Sequence, residues 1–409
     1  MAGRTAGVSI LCVNAGSSSI KLAIHELDVD RAVMTGAIEG IGETASRVWL
    51  RDVAAATLII DELQEVPAQE DAIALVLSAL DRLDTPLSAV GHRVVHGGLL
   101  LVAPTLVDAA VLTTLRGLVH LAPLHLPSQI AAIEAVATRS PALPQVACFD
   151  TAFHRRMPEI AQRFPLPEWS WDDGICRFGF HGLSFEHAVG VLGPSCGRVV
   201  IAHLGNGASM AAVHDGLPVD TTMAFTPTAG LMMGTRTGDL DPGVLVHLMR
   251  THGMSVDAIE HLVNYEAGLL GVSGRSADMH TLLDVRTHDP RADRAIAMFC
   301  ASARKSVGAL TATLGGIDQL VFTGGIGERS PTIRAEICAG LEYLGIDIDA
   351  QRNEVGGPIV STSNAGCTVR VVPADENLVI ARQTAGLTGH GDSPSAQTVR
   401  TDPDPPTRR

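Results

Sequence analysis

The sequence predicts an α/β fold in which one structural unit occurs twice. Runs with strand period alternate along the chain with runs of helical period. A strand over 8–13, a turn of small polar residues (Asn14, Ala15, Gly16 and three serines) and a second alternating stretch over 20–27 form a hairpin. The same layout returns about 190 residues later, with a strand over 199–203, a Leu-Gly-Asn-Gly-Ala turn and a strand over 209–214.

Between these hairpins the periodicity predicts a helix over 71–83 and a buried strand over 88–95. Helices over 108–119 and 127–138 and a strand over 145–149 follow. In the second half, Asp241 and Pro242 start a helix as N-cap and N1 residues, and Gly253 stops it. Ser255 caps the next helix, and a long one covers 291–314. A strand over 319–323 enters a glycine-rich turn, Gly324-Gly325-Ile326-Gly327. A helix over 331–344 ends at Gly345, and a last helix covers 376–384. From Gly389 onward the chain is polar and proline-rich, the composition of a disordered tail.

Composition narrows the function classes. A chain of 409 residues has room for two or three domains. A net charge of -14 argues against general binding to nucleic acid or membrane surfaces. Lys21 and Lys305 are the only lysines, so anionic ligands must be met by locally placed donors. Seven cysteines with no CxxC pair argue against a disulfide framework or zinc site and fit a reducing cytoplasm. The N-terminal residues lack the layout of a signal peptide. No apolar run reaches the roughly 18 residues a membrane span needs.

Both hairpin turns can cradle phosphate. Small residues let backbone N–H groups approach the anion, and serine hydroxyls add donors. The segment after the first turn is a strand and the spacing is not GxxxxGK[ST], so this is not a P-loop. The turn FTGGIGE supplies a third backbone that can lie flat against a purine or phosphate. Other candidate groups sit at strand ends or in glycine-flanked loops: Arg93 and His96 in GHRVVHGG, Asp150 in FDTAFH, and His181 in FGFHG. The segment GTRTGDLDP adds Arg236, Asp239 and Asp241, the last also serving as a helix cap. Phosphoryl transfer calls for this set: Arg and His donors around the equatorial oxygens, and oxygen ligands for a divalent metal, which Asp150 and Glu376 can supply. An arginine can also hold an acceptor carboxylate bidentately.

With these runs in view, and with LAPLH, AHLGNGAS, TPTAGLMMGTRTGDLDP and DENLVIAR in the same order, the sequence resembles the acetate and propionate kinase family over residues 10 to 387. The resemblance implies a two-domain actin, sugar kinase and Hsp70 type of fold (a duplicated ribonuclease H-like fold) with mixed sheets, flanking helices and an interdomain cleft. It places one domain at 1–151 plus 375–388 and the other at 152–374. It implies reversible transfer of the ATP γ-phosphoryl to acetate, giving ADP and acetyl phosphate, with magnesium (manganese able to stand in) and a homodimer. By position, Asn14 and Glu376 match metal-site residues, and Asp150, His181, Arg236 and His125 match catalytic ones. Arg93 matches the acetate-binding arginine, with Val95, Leu124, Phe180 and Pro227 around the acyl group. Nucleotide-binding positions are matched by Ser17, Ser19 and Lys21, by His203, Leu204, Gly205, Asn206 and Gly207, and by Asp278, Met279 and His280. Gly325, Ile326, Gly327, Glu328 and Arg329 match the remaining nucleotide loop.

An acceptor carboxylate is ionised at neutral pH, its pKa being about 4 to 5, so it has no proton to give up. Asp150 is therefore expected chiefly to organise magnesium and its waters, while His181 and Arg236 neutralise charge between donor and acceptor. The chain departs from the family pattern at Leu126, at Leu183 and Phe185, at Leu99 to Leu101, at His280 and at Arg329. These departures bear on acyl-chain preference and donor choice. Alternatives left open are a propionate or other short-chain acyl kinase, an actin-fold ATPase or nucleotide-binding protein without acyl transfer, and a weakened paralogue.

Overall fold

A computed structural model describes residues 8–29, 31–83 and 85–390. The tail expected from residue 389 lies, from 391 on, outside the described residues. Two sheets organise the chain. The first contains β1 (Ser9–Ala15), β2 (Ser19–Glu26), β3 (Arg31–Glu39), β4 (Ser46–Asp52), β5 (Thr57–Gln64), β6 (Ala89–Val94), β7 (Thr105–Leu106) and β8 (Gln145–Phe149). The second contains β9 (Arg198–Leu204), β10 (Ala208–His214), β11 (Leu217–Thr221), β12 (Gln319–Thr323) and β13 (Thr368–Val371).

Strand order shows the duplication directly. The first sheet runs β5-β4-β3-β2-β1-β6-β8-β7 and the second β11-β10-β9-β12-β13. In both, a three-stranded antiparallel meander (β1–β3, β9–β11) continues through its first strand into two parallel strands. The five strands β3-β2-β1-β6-β8 thus recur as β11-β10-β9-β12-β13. This repeated mixed unit is the actin-like kinase fold.

Each central strand is buried on both faces, which is why β1 reads as an unbroken apolar run. Leu11 and Val13 pack beneath the helices Gln69–Arg82 and Leu126–Arg139. Ile10 and Cys12 point the other way, onto Val379 and Ile380 of the C-terminal helix Glu376–Thr388. Gly91 permits that approach: a Cβ there would lie 2.4 Å from both Ile380 Cγ2 and Thr384 Oγ1. The second sheet is covered alike, by Phe299 and Val307 of Pro290–Leu314 on one face and by Phe185 and Ala188 of Gly182–Leu192 on the other. Glu186 accepts two hydrogen bonds from Gln383, at 2.8 and 3.0 Å, which tie the covering helices of the two sheets together.

Three expectations change. Residues 31–64, for which no strand is expected, form β3–β5. The expected helix over 331–344 is Pro331–Cys338 followed by a separate 3-10 turn, Glu342–Leu344. Ala339 leaves the helical region at ψ 123°, and Gly340 takes the left-handed φ of +84°. The turn after β12 is a short helix, Gly324–Arg329. Among the described residues, no helix is long and apolar enough to cross a membrane.

Candidate active site

Both halves send their parallel strands and hairpin turns toward one cleft. Arg93 lies near the end of β6, Asp150 follows β8, and the two small-residue turns join β1 to β2 and β9 to β10. A cavity of about 480 Å³ opens among them. Asn14, Ser19 and Lys21 line it from the first hairpin, and Asn206 and Gly207 from the second. Arg93, His125, Asp150, His181 and Arg236 complete its polar wall, while Val95, Phe180 and Pro227 supply apolar surface. The two guanidinium groups and the imidazole, far apart in sequence, therefore face one space.

Arg93 is held on one side. Its Nε donates to Asp150 Oδ1 at 3.1 Å and its Nη2 to Oδ2 at 2.7 Å, and Glu376 Oε2 stands 3.7 Å from Nε. Burial opposes the Arg93 charge, but the adjacent Asp150 and Glu376 carboxylates outweigh it and raise the pKa above its ordinary value. Burial likewise raises the Asp150 carboxyl above the usual range, with Glu376 adding to the rise and Arg93 pulling against it. The charged pair is the form that the hydrogen bonds require, because a guanidinium does not give up its proton in proteins. The Nη1 edge of Arg93 takes no part in this pairing.

His181 takes a left-handed conformation, φ +58°, just before the helix Gly182–Leu192. Its Nδ1 lies 2.8 Å from Ser209 Oγ, and its ring stacks on His203 with centroids 4.4 Å apart. Burial, reinforced by His203, Arg93 and Arg236, drives the His181 pKa well below its ordinary value. Burial and these cationic neighbours favour the uncharged imidazole before phosphates enter the cleft, and its ring nitrogens can contribute a hydrogen bond. Arg236 carries the charge on that side. Burial lowers its pKa, yet a guanidinium stays protonated; its Nη1 donates to the Pro227 carbonyl at 3.2 Å. Gly207 sits between the two donors. A Cβ there would be 3.3 Å from His181 Nε2 and 3.6 Å from Arg236 Nη1. Burial lowers His125 as well, with Arg236 and Arg93 adding to the effect.

A second cavity of about 680 Å³ adjoins the first through Asn206, which lines both. Gly205, Asp278, Met279, His280, Gly325, Ile326 and Arg329 line it, as expected for a nucleotide segment. Asp278 also caps the helix Met279–Val285 by accepting from Thr281 N at 2.9 Å. His280 is 85% exposed and pairs with Asp284 at 3.1 Å.

Other expected residues lie elsewhere. Ser17 is exposed at the hairpin tip, and Leu124 is 47% exposed and lines neither cavity. Leu204 is fully buried in the core, which leaves only its backbone to face a ligand. Gly327 is buried, and Glu328 accepts from Ala374 N at 2.9 Å. His203 lies behind His181, its Nδ1 2.8 Å from Ser184 Oγ, and burial lowers it to about 4. His96 is enclosed, accepting from Gly98 N and meeting Phe178 edge-on at 4.4 Å. Asp239 accepts from Gly230 N, and Asp241 caps Pro242–His252.

Sequence reasoning misses Ala122 and Gln129, both on the cavity wall. Gln129 accepts from the Val95 N–H at 3.1 Å. Its signal is the spacing: one turn after His125, it shares that residue's side of the helix Leu126–Arg139.

The donor set fits magnesium brought in with phosphates. Asp150 and Glu376, both beside Arg93, and the Asn14 amide on the cavity wall offer hard oxygen atoms. Among the described residues no group of three or more His, Cys, Asp or Glu could cage a metal. Magnesium characteristically uses one or two carboxylates with substrate phosphates and water.

Known proteins share this architecture. The family model described as the acetokinase family matches residues 9–382. An acetate kinase of Rhodopseudomonas palustris is 44% identical over 398 residues, 93% of this chain and 99% of that protein. One from Rhizobium meliloti is 43% identical over 392 residues, covering 93% and 98%. Among solved structures, Porphyromonas gingivalis acetate kinase is 36% identical with a TM-score of 0.85 over 93% of this chain and 99% of that one. A Francisella tularensis propionate kinase is 34% identical with a TM-score of 0.87, covering 92% and 98%. With its two sheets, its cleft and this match along nearly the whole chain, the protein belongs to the acetokinase family.

Proposed function

We propose that the chain is an acetate kinase, transferring the γ-phosphoryl of ATP to acetate and back. The observation that carries this is the convergence of Arg93, His181 and Arg236 on a cavity adjoining, at Asn206, a second cavity of nucleotide size. Arg93, fixed by Asp150, orients the acceptor carboxylate with its spare edge. An acetate oxygen attacks the γ-phosphorus in line as the bond to the β–γ bridging oxygen breaks, and no proton moves. Arg236 supplies positive charge and His181 a hydrogen bond to the equatorial oxygens, where stabilisation lowers the barrier. Ser19, Lys21 and the Gly205–Gly207 backbone hold phosphates, and the second cavity holds the nucleoside. Magnesium, or manganese, would be held by Asn14, Asp150 and Glu376 and would neutralise phosphate charge. Val95, Phe180 and Pro227 flank the methyl group, with Ala122 in the place expected for Leu124.

We assign residues 1–151 with 375–388 to one domain and 152–374 to the other. A homodimer is supported by the helix Pro242–His252, none of whose residues is buried, with Val244, Val246 and Met249 exposed. All seven cysteines are free and buried. Propionate is the second acceptor to consider, given the propionate kinase neighbour. One methylene changes binding by only about 1–3 kcal/mol, so the lining residues do not separate the two. The test is a hydroxamate assay for acyl phosphate with acetate, propionate and butyrate, each with ATP and with pyrophosphate. Acetate- and ATP-dependent product is expected. ATP hydrolysis indifferent to every carboxylate would instead identify an ATPase.

A further inference from the structure

We propose that Ser209 is a positioning residue: its hydroxyl donates to Nδ1 of His181, fixing the ring as the Nε2–H tautomer and presenting that N–H to the transferred phosphoryl group. The presenting role rests on the kinase function above.

Ser209 lies on β10, paired across the hairpin with His203, and is fully buried. Its Oγ stands 2.8 Å from His181 Nδ1. Among the described residues this imidazole is its one side-chain partner. A hydroxyl carries a single hydrogen, and a buried O–H without an acceptor is costly. Donation from Ser209 to Nδ1 satisfies that hydrogen. The reverse bond, from Nδ1–H to Oγ, would leave the serine hydrogen with no acceptor among the contacts seen. The other ring nitrogen must then carry the proton, since the partner of one imidazole nitrogen sets the state of the other.

The surroundings hold the ring in this orientation. Its backbone is fixed at φ +58°, and its face rests on His203 at an interplanar angle of 27°. Nε2 is the atom nearest the Gly207 position, on the side that Arg236 Nη1 also approaches. The fixed N–H and the guanidinium therefore point at the same region. His203 is pinned in parallel fashion by Ser184, itself fully buried, at 2.8 Å. Two buried hydroxyls thus secure two stacked imidazoles, and the low pKa values of both rings agree with neutral, singly protonated states.

The experiment begins with the wild-type protein labelled with 15N-histidine. The His181 spectrum is expected to show a pyridine-type Nδ1 and a protonated Nε2. A protonated Nδ1 in neutral His181 overturns the proposal. Ser209→Ala is expected to lower kcat up to about tenfold, the scale of one neutral hydrogen bond, and to shift the His181 tautomer signals. KM for ATP and for acetate should stay within about twofold, because the lost interaction belongs to the transition state. Ser209→Thr, which keeps the hydroxyl, is expected to retain the wild-type tautomer and most of kcat. A folded Ser209→Ala protein with unchanged kcat and spectrum overturns the assignment. Should that variant not fold, the wild-type spectrum still decides. Absence of acyl phosphate from the wild type would remove the presenting role by removing the kinase function, while the spectrum separately decides the tautomer.

Discussion

Replacing Asp150 by asparagine separates two roles for this carboxylate while keeping its shape. Arg93 donates to both carboxylate oxygens, at 3.1 and 2.7 Å, and the Asp150 side chain is 3% exposed, so solvent screens the pair little. Asparagine offers one acceptor oxygen, and its NH2 group cannot face a guanidinium. One charge-assisted hydrogen bond is lost, worth about 1.5–3 kcal/mol. Arg93 is then steered mainly by Glu376, 3.7 Å away. If that energy fixes Arg93 for the acceptor, kcat/KM for acetate falls by about 10- to 150-fold. The assay is acyl hydroxamate formation from pH 5.5 to 9, beside thermal melts to exclude unfolding. A general base would give an acid limb that the asparagine variant abolishes; an organising carboxylate gives a loss of similar size at every pH. Loss of the acid limb alone, or a kcat/KM within about threefold of wild type, refutes the organising role.

Other perturbations test the surrounding structure. Gly182→Ala places a Cβ 2.3 Å from the Asp150 carbonyl, which accepts the Gly182 N–H at 2.8 Å; kcat is expected to drop at least tenfold by roughly the cost of one buried hydrogen bond, with exposed Val191→Ala as a control on the same helix. Gly91→Ala drives the C-terminal helix off the first sheet, and the overpacking should cost about 1–3 kcal/mol in urea titrations. Stability should also fall steeply in acid. His92, His96, His154 and His203 are lowered by burial to about 4, while unfolded histidine titrates near 6.5. The unfolded chain therefore binds more protons below about pH 6.5, and stability is lost as pH falls from there toward the folded values near 4. At pH 5 each group costs about 2 kcal/mol, together comparable to a typical total stability. A urea midpoint that stays flat between pH 7 and 5 would contradict this. Finally, Val244→Asp with Met249→Asp should halve the mass measured by light scattering if the helix Pro242–His252 lies in a dimer interface.

The sequence exposes what local rules govern. Both hairpins are legible because strand-length apolar runs flank turns of Gly, Asn and Ser, and Asp241, Ser255 and Asp278 cap helices by ordinary spacing. β5 is not legible. Leu58, Ile59 and Leu63 all remain exposed, so its apolar residues mark no buried face. Arg93, Asp150, His181 and Arg236 come together as motif spacing and family pattern lead one to expect. The tertiary fold decides the rest: it turns Leu124 outward, puts His203 behind His181 and brings Gln129 to the wall. Neither the serines behind the imidazoles nor the burial that lowers the His181 pKa can be read along one strand. Both depend on contacts between β10, the helix Gly182–Leu192 and the opposite half of the molecule.

The packing of Glu376–Thr388 against β1 and β6 bears on how the protein emerges from the ribosome. Ile10 and Cys12, translated long before Glu376–Thr388, stay wet until that helix arrives to shield them. The second sheet has its whole complement of strands by residue 371 and can mature while the earlier one still lacks its cover. Premature termination shortly before residue 376 should thus leave a finished rear half tethered to a sticky, incomplete front half, prone to aggregate and to recruit chaperones.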